Sequence, residues 1–187
     1  MNDVQQPLFS DAAEASGTNH GVSLMQLKIA NTFAFIITLS LNGLSSAGLL
    51  SDFGVGTISD KYETKITPAG PAFSIWGPIY CLQGAFVIYQ FFWPKDDEAT
   101  LLHGVGFYFL SACLFNSLWI ITFVQGNTAA VWCSTFLIAA LLASICKIYV
   151  STGCWRTARP GTIAQAIVLD VHFSMYAGWV TVATIVN

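Results

Sequence analysis

The sequence predicts an all-α membrane protein, a bundle of five transmembrane helices. Three observations carry that reading. Of the 187 residues, 55% are hydrophobic and only 9% are charged, where a soluble domain carries about 25% charged residues. Five apolar segments, at about 27–50, 72–93, 104–124, 128–150 and 162–187, are each roughly 20 to 26 residues long, enough to cross a ~30 Å hydrocarbon core at ~1.5 Å per residue. The alternating strands of about ten residues that build a membrane barrel do not occur. The lipid bilayer is therefore the first partner. A net charge of −3 without a basic run argues against nucleic acid.

Residues 1–23 precede the first helix and are small and polar, with Asp3, Asp11 and Glu14 among them. They lack both the basic start and apolar core of a signal peptide and the Arg-rich amphipathicity of a transit peptide, so they read as a disordered tail. In the first helix, Gly43 and Ala47 stand four apart. Ala139 and Ala143 repeat that spacing in the fourth, and such pairs predict close helix contacts in lipid. The loop at 51–67 is the longest. Structureless loops of that length are usually functional or disordered, and this one runs straight into the next motif, so it reads as a lid.

The stretch 67–80 opens the second helix with two prolines and a glycine. Pro fixes φ near −65° and is tolerated in a first helical turn, where its missing N–H has no partner to lose. Phe73, Trp76 and Tyr80 follow at helical spacing, with Gly77 and Gly84 as gaps beside them. Gly126 and Asn127 alone separate the third and fourth helices, which predicts a tight antiparallel hairpin. Lys28, Lys95, Lys147, Arg156 and Arg159 fall on one side of the bilayer and Lys61 and Lys65 on the other. The positive-inside rule then places the amino terminus on the cytoplasmic side of a multi-pass protein. The five cysteines form no CxxC pair, and Cys81, Cys113, Cys133 and Cys146 lie in apolar runs, where free Cys acts as a small hydrophobe.

Candidate chemistry lies on three helices. Asn116 and Trp119 share a face of the third helix. A carboxamide in hydrocarbon must find a partner or face a cavity, which leaves an interhelical hydrogen bond or a ligand contact. On the fifth helix His172, Tyr176, Trp179 and Ala183 form one stripe, at offsets of four, seven and eleven. Asp170 is the only carboxylate in an apolar segment, and it faces either a bundle interior or the interface. His172 reads as a base, a tetrapyrrole-metal ligand or a packed core residue. No catalytic constellation and no zinc spacing is present. Trp76, Trp119 and Trp179, each with small or polar neighbours, would converge on a flat aromatic pocket for a large polycyclic apolar ligand.

Three runs resemble the TspO/translocator protein family, also called tryptophan-rich sensory or peripheral benzodiazepine receptor-like proteins. They are Pro-Ala-Gly-Pro-Ala-Phe-Ser-Ile-Trp-Gly-Pro-Ile-Tyr at 68–80, Asn-Ser-Leu-Trp at 116–119, and the stretch from His172 through Tyr176, Trp179 and Ala183 to Asn187. The resemblance spans about 27–187, and its Phe-Ser-Ile-Trp-Gly-x-Ile-Tyr wording is closest to a divergent branch. It implies a five-helix receptor or transport protein, often dimeric, that binds porphyrin, haem or sterol in a pocket closed by the first loop. No cofactor is required. Carried over by motif, Trp76, Asn116, Trp179 and Ala183 line that pocket. His172 stands where the family motif has proline, and the family's sterol-recognition segment lies at and beyond Asn187, so the resemblance favours a tetrapyrrole over a sterol. With Phe73, Tyr80, Trp119, His172 and Tyr176 added, these form the expected ligand-binding set, with no metal site. Porphyrin degradation has family precedent but finds no dedicated catalytic residue here. The alternative is a structural or accessory membrane subunit, its aromatics packed against partner helices in a homodimer or a larger complex.

Overall fold

The computed structural model describes residues 23–154 and 161–187. The tail with His20, and the loop arginines Arg156 and Arg159, lie outside the described residues. Five helices are long and apolar enough to cross a membrane: α1 (Leu24–Ser46), α3 (Gly70–Phe92), α4 (Thr100–Phe123), α5 (Thr128–Ser151) and α6 (Ile163–Val186). A short helix, α2 (Val55–Lys61), sits in the first loop, and there is no strand among the described residues. The fold is an all-α, five-helix membrane bundle.

The helix limits follow local chemistry. Ser23 caps α1 in a reciprocal box with Gln26, satisfying two end donors at once, so the helix begins at Leu24, ahead of the expected start near residue 27. It stops at Ser46 because Gly48 takes φ 72° and the Leu49 amide bonds back to the Leu44 carbonyl at 2.9 Å, a glycine-terminated C-cap. α3 opens as a 3-10 turn, Gly70–Ile75, with Pro71 near its start. α4 and α6 each carry a π-helical segment near their beginning, Thr100–Val105 and Ala166–Val171. His103 belongs to the first of these, and half-buried Asp170 to the second. A turn at Gly126, with φ 62°, and an Asn127 N-cap make the α4–α5 hairpin as tight as expected.

The helices pack as a ring in the order α1, α4, α5, α6, α3 and back to α1. The apolar interior is filled largely from α4 and α6, with Phe86 of α3 against Phe109 of α4 at 5.1 Å between ring centroids. Polar staples fix the ring. Asn31 donates to Gln90 Oε1 at 3.2 Å, and Gln90 Nε2 donates to the Lys28 carbonyl at 3.0 Å, tying α1 to α3. Thr38 and Ser117 hydroxyls meet at 3.0 Å between α1 and α4, and Ser111 and Ser144 at 2.7 Å between α4 and α5. Such bonds average about 0.6 kcal/mol in membranes, so they set register more than they add stability.

Two sequence expectations need correction. Ala139 and Ala143 face outward, because the inner stripe of α5 is Ser134, Ile138, Leu141, Ile145 and Ile148. Gly43 does not receive a helix backbone either. A Cβ there would meet nothing within 4 Å, because the position opens on a cavity. Close approach occurs instead at Gly104, where a Cβ would lie 2.9 Å from Thr152 Cγ2 and 3.6 Å from the Ser151 carbonyl oxygen of α5. Cys81, Cys113, Cys133 and Cys146 are free, and Cys113 and Cys154 are buried.

Candidate functional site

The site is built around Trp76, which the 3-10 turn delivers to the start of the regular part of α3. Its ring lies 5.5 Å from Tyr80 in a near-parallel stack and 5.7 Å from Trp119. Tyr176 and Trp179 meet it edge-on at 6.1 and 6.2 Å. Phe73 in turn touches Trp179 edge-on at 6.0 Å. Offset and edge-to-face pairs of this kind add about 0.5–1.5 kcal/mol each beyond burial, so the cluster is a stiff wall. The three tryptophans do converge.

Beside this wall lies a cavity of about 540 Å³, within the range of ordinary ligand sites, roughly 300–1,000 Å³. Phe73, Trp76, Tyr80 and Trp119 line one side, and Asn42, Gly43 and Ser46 of α1 line the other. Val55 and Gly56 of α2 border it. A second, smaller cleft of about 20 Å³ adjoins it, and here Trp179 and Ala183 appear beside Asn187. Six of the nine residues of the expected ligand-binding set are thus divided between two spaces that share Phe73, Trp76 and Trp119.

Asn116 and Tyr176 lie beneath the cavity rather than on its surface. Asn116 is fully buried. Its Oδ1 accepts from Asn42 Nδ2 at 2.8 Å and from the Tyr80 hydroxyl at 3.3 Å, and its Nδ2 donates to Tyr176 Oη at 3.2 Å. One carboxamide therefore joins α1, α3, α4 and α6. Of the two alternatives left open for it by the sequence, an interhelical hydrogen bond or a ligand contact, the structure shows the first, and its bonds hold two residues that do line the cavity, Asn42 and Tyr80.

His172 is one turn further from the cavity. It is fully buried, stacked on Tyr176 at 6.0 Å and packed against Phe173 at 4.3 Å. It borders neither space, and Tyr176 links it to the Trp76 cluster. Among the described residues, no group of three or more His, Cys, Asp or Glu could hold a metal ion.

Several residues at the site were not singled out from the sequence. Asn42 is one, although Asn31, Thr38, Asn42 and Ser45 recur at helical offsets of seven, four and three, a polar stripe within an apolar helix. Lys61 and Tyr62 are two more. Both donate to the Gly126 carbonyl, at 2.7 and 3.2 Å, while Ile58 is buried beneath them with 1% exposure. They dock α2 on the α4–α5 turn. Asn187, named in the sequence as the end of the fifth-helix motif, also reaches the site. Its Oδ1 accepts from Trp119 Nε1 at 2.8 Å, and its Nδ2 donates to Ser134 and Thr135, each at 2.9 Å.

Fold and site together define a multi-pass integral membrane protein with an aromatic-walled cavity between its helices. Within that class the family description "TSPO-like protein" matches residues 28–187, and the chain belongs to the TSPO-like family. No curated protein and no solved structure matches the chain.

Proposed function

We propose that this protein binds a flat polycyclic apolar ligand, of the tetrapyrrole class, in the cavity beside Trp76, and that α2 and the loop around it gate access. Transport of that ligand across or along the bilayer is the activity this arrangement would serve. The observation that carries the reading is the cavity of about 540 Å³ walled by Phe73, Trp76, Tyr80 and Trp119, since stacked rings favour a large planar guest. The family membership supports it, as does the position of α2 on the border of both spaces. On the positive-inside count the gated end faces away from the cytoplasm.

The test is a titration of the detergent-solubilised protein with protoporphyrin, followed by quenching of tryptophan fluorescence. Saturable binding is expected, weakened at least tenfold in Trp76→Ala, because hot-spot aromatics cost about 2 kcal/mol or more on truncation. Equal affinity in the parent and in Trp76→Ala would refute the assignment of the cavity as the binding site.

A further inference from the structure

We propose that the corner of the cavity formed by Asn42, Ser46 and Tyr80 accepts hydrogen bonds and does not donate them, so that the ligand part it selects is neutral there and presents an O–H or N–H donor. The proposal rests on the binding reading above and sharpens it to a ligand class. It follows from the order of protons around Asn116.

Asn42 sets that order. One of its side-chain atoms faces the backbone carbonyl of Thr38 at 2.9 Å, and a carbonyl can only accept. That atom must be Nδ2, which fixes the amide orientation from the network itself. The same Nδ2 lies 2.8 Å from Asn116, so the Asn116 atom there is Oδ1. Asn116 Nδ2 then points at Tyr176 Oη, 3.2 Å away. The Tyr80 hydroxyl, 3.3 Å from Asn116 Oδ1, must spend its single proton on that oxygen.

What remains for a guest is then determined. Asn42 Oδ1 and the lone pairs of Tyr80 Oη have no partner among the described residues, and both residues line the cavity. Ser46 has already given its proton to the Asn42 carbonyl at 2.9 Å and can also only accept. Elsewhere on the wall the hydroxyls of Ser45 and Ser74 rotate to serve either role and the Trp76 indole can only donate, so the acceptor character belongs to the corner of Asn42, Ser46 and Tyr80. Among the described residues no Lys, Arg or His lines the space. Trp179 Nε1, a buried donor without a hydrogen-bond partner, belongs to the neighbouring cleft of about 20 Å³, which is room for one water-sized group.

A carboxylate placed in the corner of Asn42, Ser46 and Tyr80 would meet lone pairs and no cation, in a low-dielectric setting where an unpaired charge is most costly. A hydroxyl, lactam or pyrrole N–H would find two acceptors. A tetrapyrrole carrying carboxylates would therefore turn them away from Asn42 and Tyr80.

Three fluorescent pyrenes of matched size test the proposal on the full-length protein in detergent, with tryptophan-to-pyrene energy transfer as the readout. They are 1-pyrenemethanol, its methyl ether and 1-pyrenecarboxylate, each corrected for partition into empty micelles. The alcohol is expected to bind about fivefold more tightly than the ether, as one neutral hydrogen bond allows, and the carboxylate most weakly. In Tyr80→Phe and Asn42→Leu the alcohol-to-ether ratio should fall towards one while ether binding stays within about twofold. Tyr80→Phe loses one hydroxyl and keeps its shape, so it carries the test if Asn42→Leu fails to fold. An ether as tight as the alcohol, a carboxylate that binds best, or a ratio unchanged in Tyr80→Phe would overturn the donor preference while leaving the cavity as a binding site. Failure of all three pyrenes to saturate would instead overturn the binding reading itself.

Discussion

A methyl group added at Gly126 should release α2 from the bundle. The position has φ 62°, and a Cβ there would stand 2.4 Å from Ile58 Cδ1, well inside van der Waals contact. Ile58 is 1% exposed, and lifting a fully buried Ile out of its site forfeits about 1.5–3 kcal/mol. Gly126→Ala therefore shifts the docked–released equilibrium of α2 by roughly ten- to a hundredfold towards release. The left-handed φ adds about 1–2 kcal/mol of strain, but that strain stays in the turn whether α2 is docked or not.

Amide hydrogen exchange reads the result directly. The Ile58 amide bonds to the Gly54 carbonyl at 3.1 Å and the Tyr62 amide to the Ile58 carbonyl at 3.2 Å, so both should exchange faster by the same factor. Ile58→Val separates contact from strain. In the parent it removes a methyl group from a packed site and loosens α2 by about 0.5–1.5 kcal/mol. In the Gly126→Ala background it removes the clashing Cδ1 and should tighten α2 instead. A sign that does not reverse, or exchange unchanged in Gly126→Ala, would refute the docking of α2 on this turn.

Two further outcomes bear on the carboxamides. Asn116→Leu keeps the volume but strips the partners of Asn42, Tyr80 and Tyr176, and should lower stability by about 1–3 kcal/mol, measured as thermal unfolding in detergent. Asn187→Ala removes the acceptor of the Trp119 indole and the donor to Ser134 and Thr135. At about 0.6 kcal/mol per bond in a membrane the loss should be roughly 1–2 kcal/mol, with a changed Trp119 emission as its local signature.

What was legible in the sequence, and what was not, divides on physical grounds. Apolar length alone located the spanning helices, because a hydrocarbon core admits few alternatives. Capping chemistry moved their ends, as at Ser23 and Gly48. The convergence of Trp76, Trp119 and Trp179 was legible because each sits among small or polar neighbours. The stripe of His172, Tyr176, Trp179 and Ala183 was only half legible. A common helical face says nothing of depth, and offsets of eleven residues cover about 16 Å along the axis, longer than one site. Trp179 and Ala183 reach the cleft, Tyr176 reaches the floor and His172 reaches neither. Asn42 was missed because the first helix was read for its small residues, when its polar ones carried the contact with α4.

Those small residues have another reading, which the cavity makes quantitative. Glycine inside a helix costs about 0.5–1 kcal/mol relative to alanine, and a close contact can justify it, as Thr152 does at Gly104, where a Cβ would stand 2.9 Å from its Cγ2. Gly43 and Gly77 have no such contact. A Cβ at either would meet nothing within 4 Å, and both border the same cavity, from α1 and from α3. Their missing side chains are part of the reason that the space exists. Gly43→Leu and Gly77→Leu should therefore be tolerated or even stabilising in thermal unfolding, while each fills the cavity with about four carbons and abolishes porphyrin titration. Alanine at the same sites should raise stability by about 0.5–1 kcal/mol and weaken binding only slightly. If leucine at Gly43 unfolds the protein, the position packs against a helix after all. If leucine leaves both folding and binding intact, the ligand lies elsewhere.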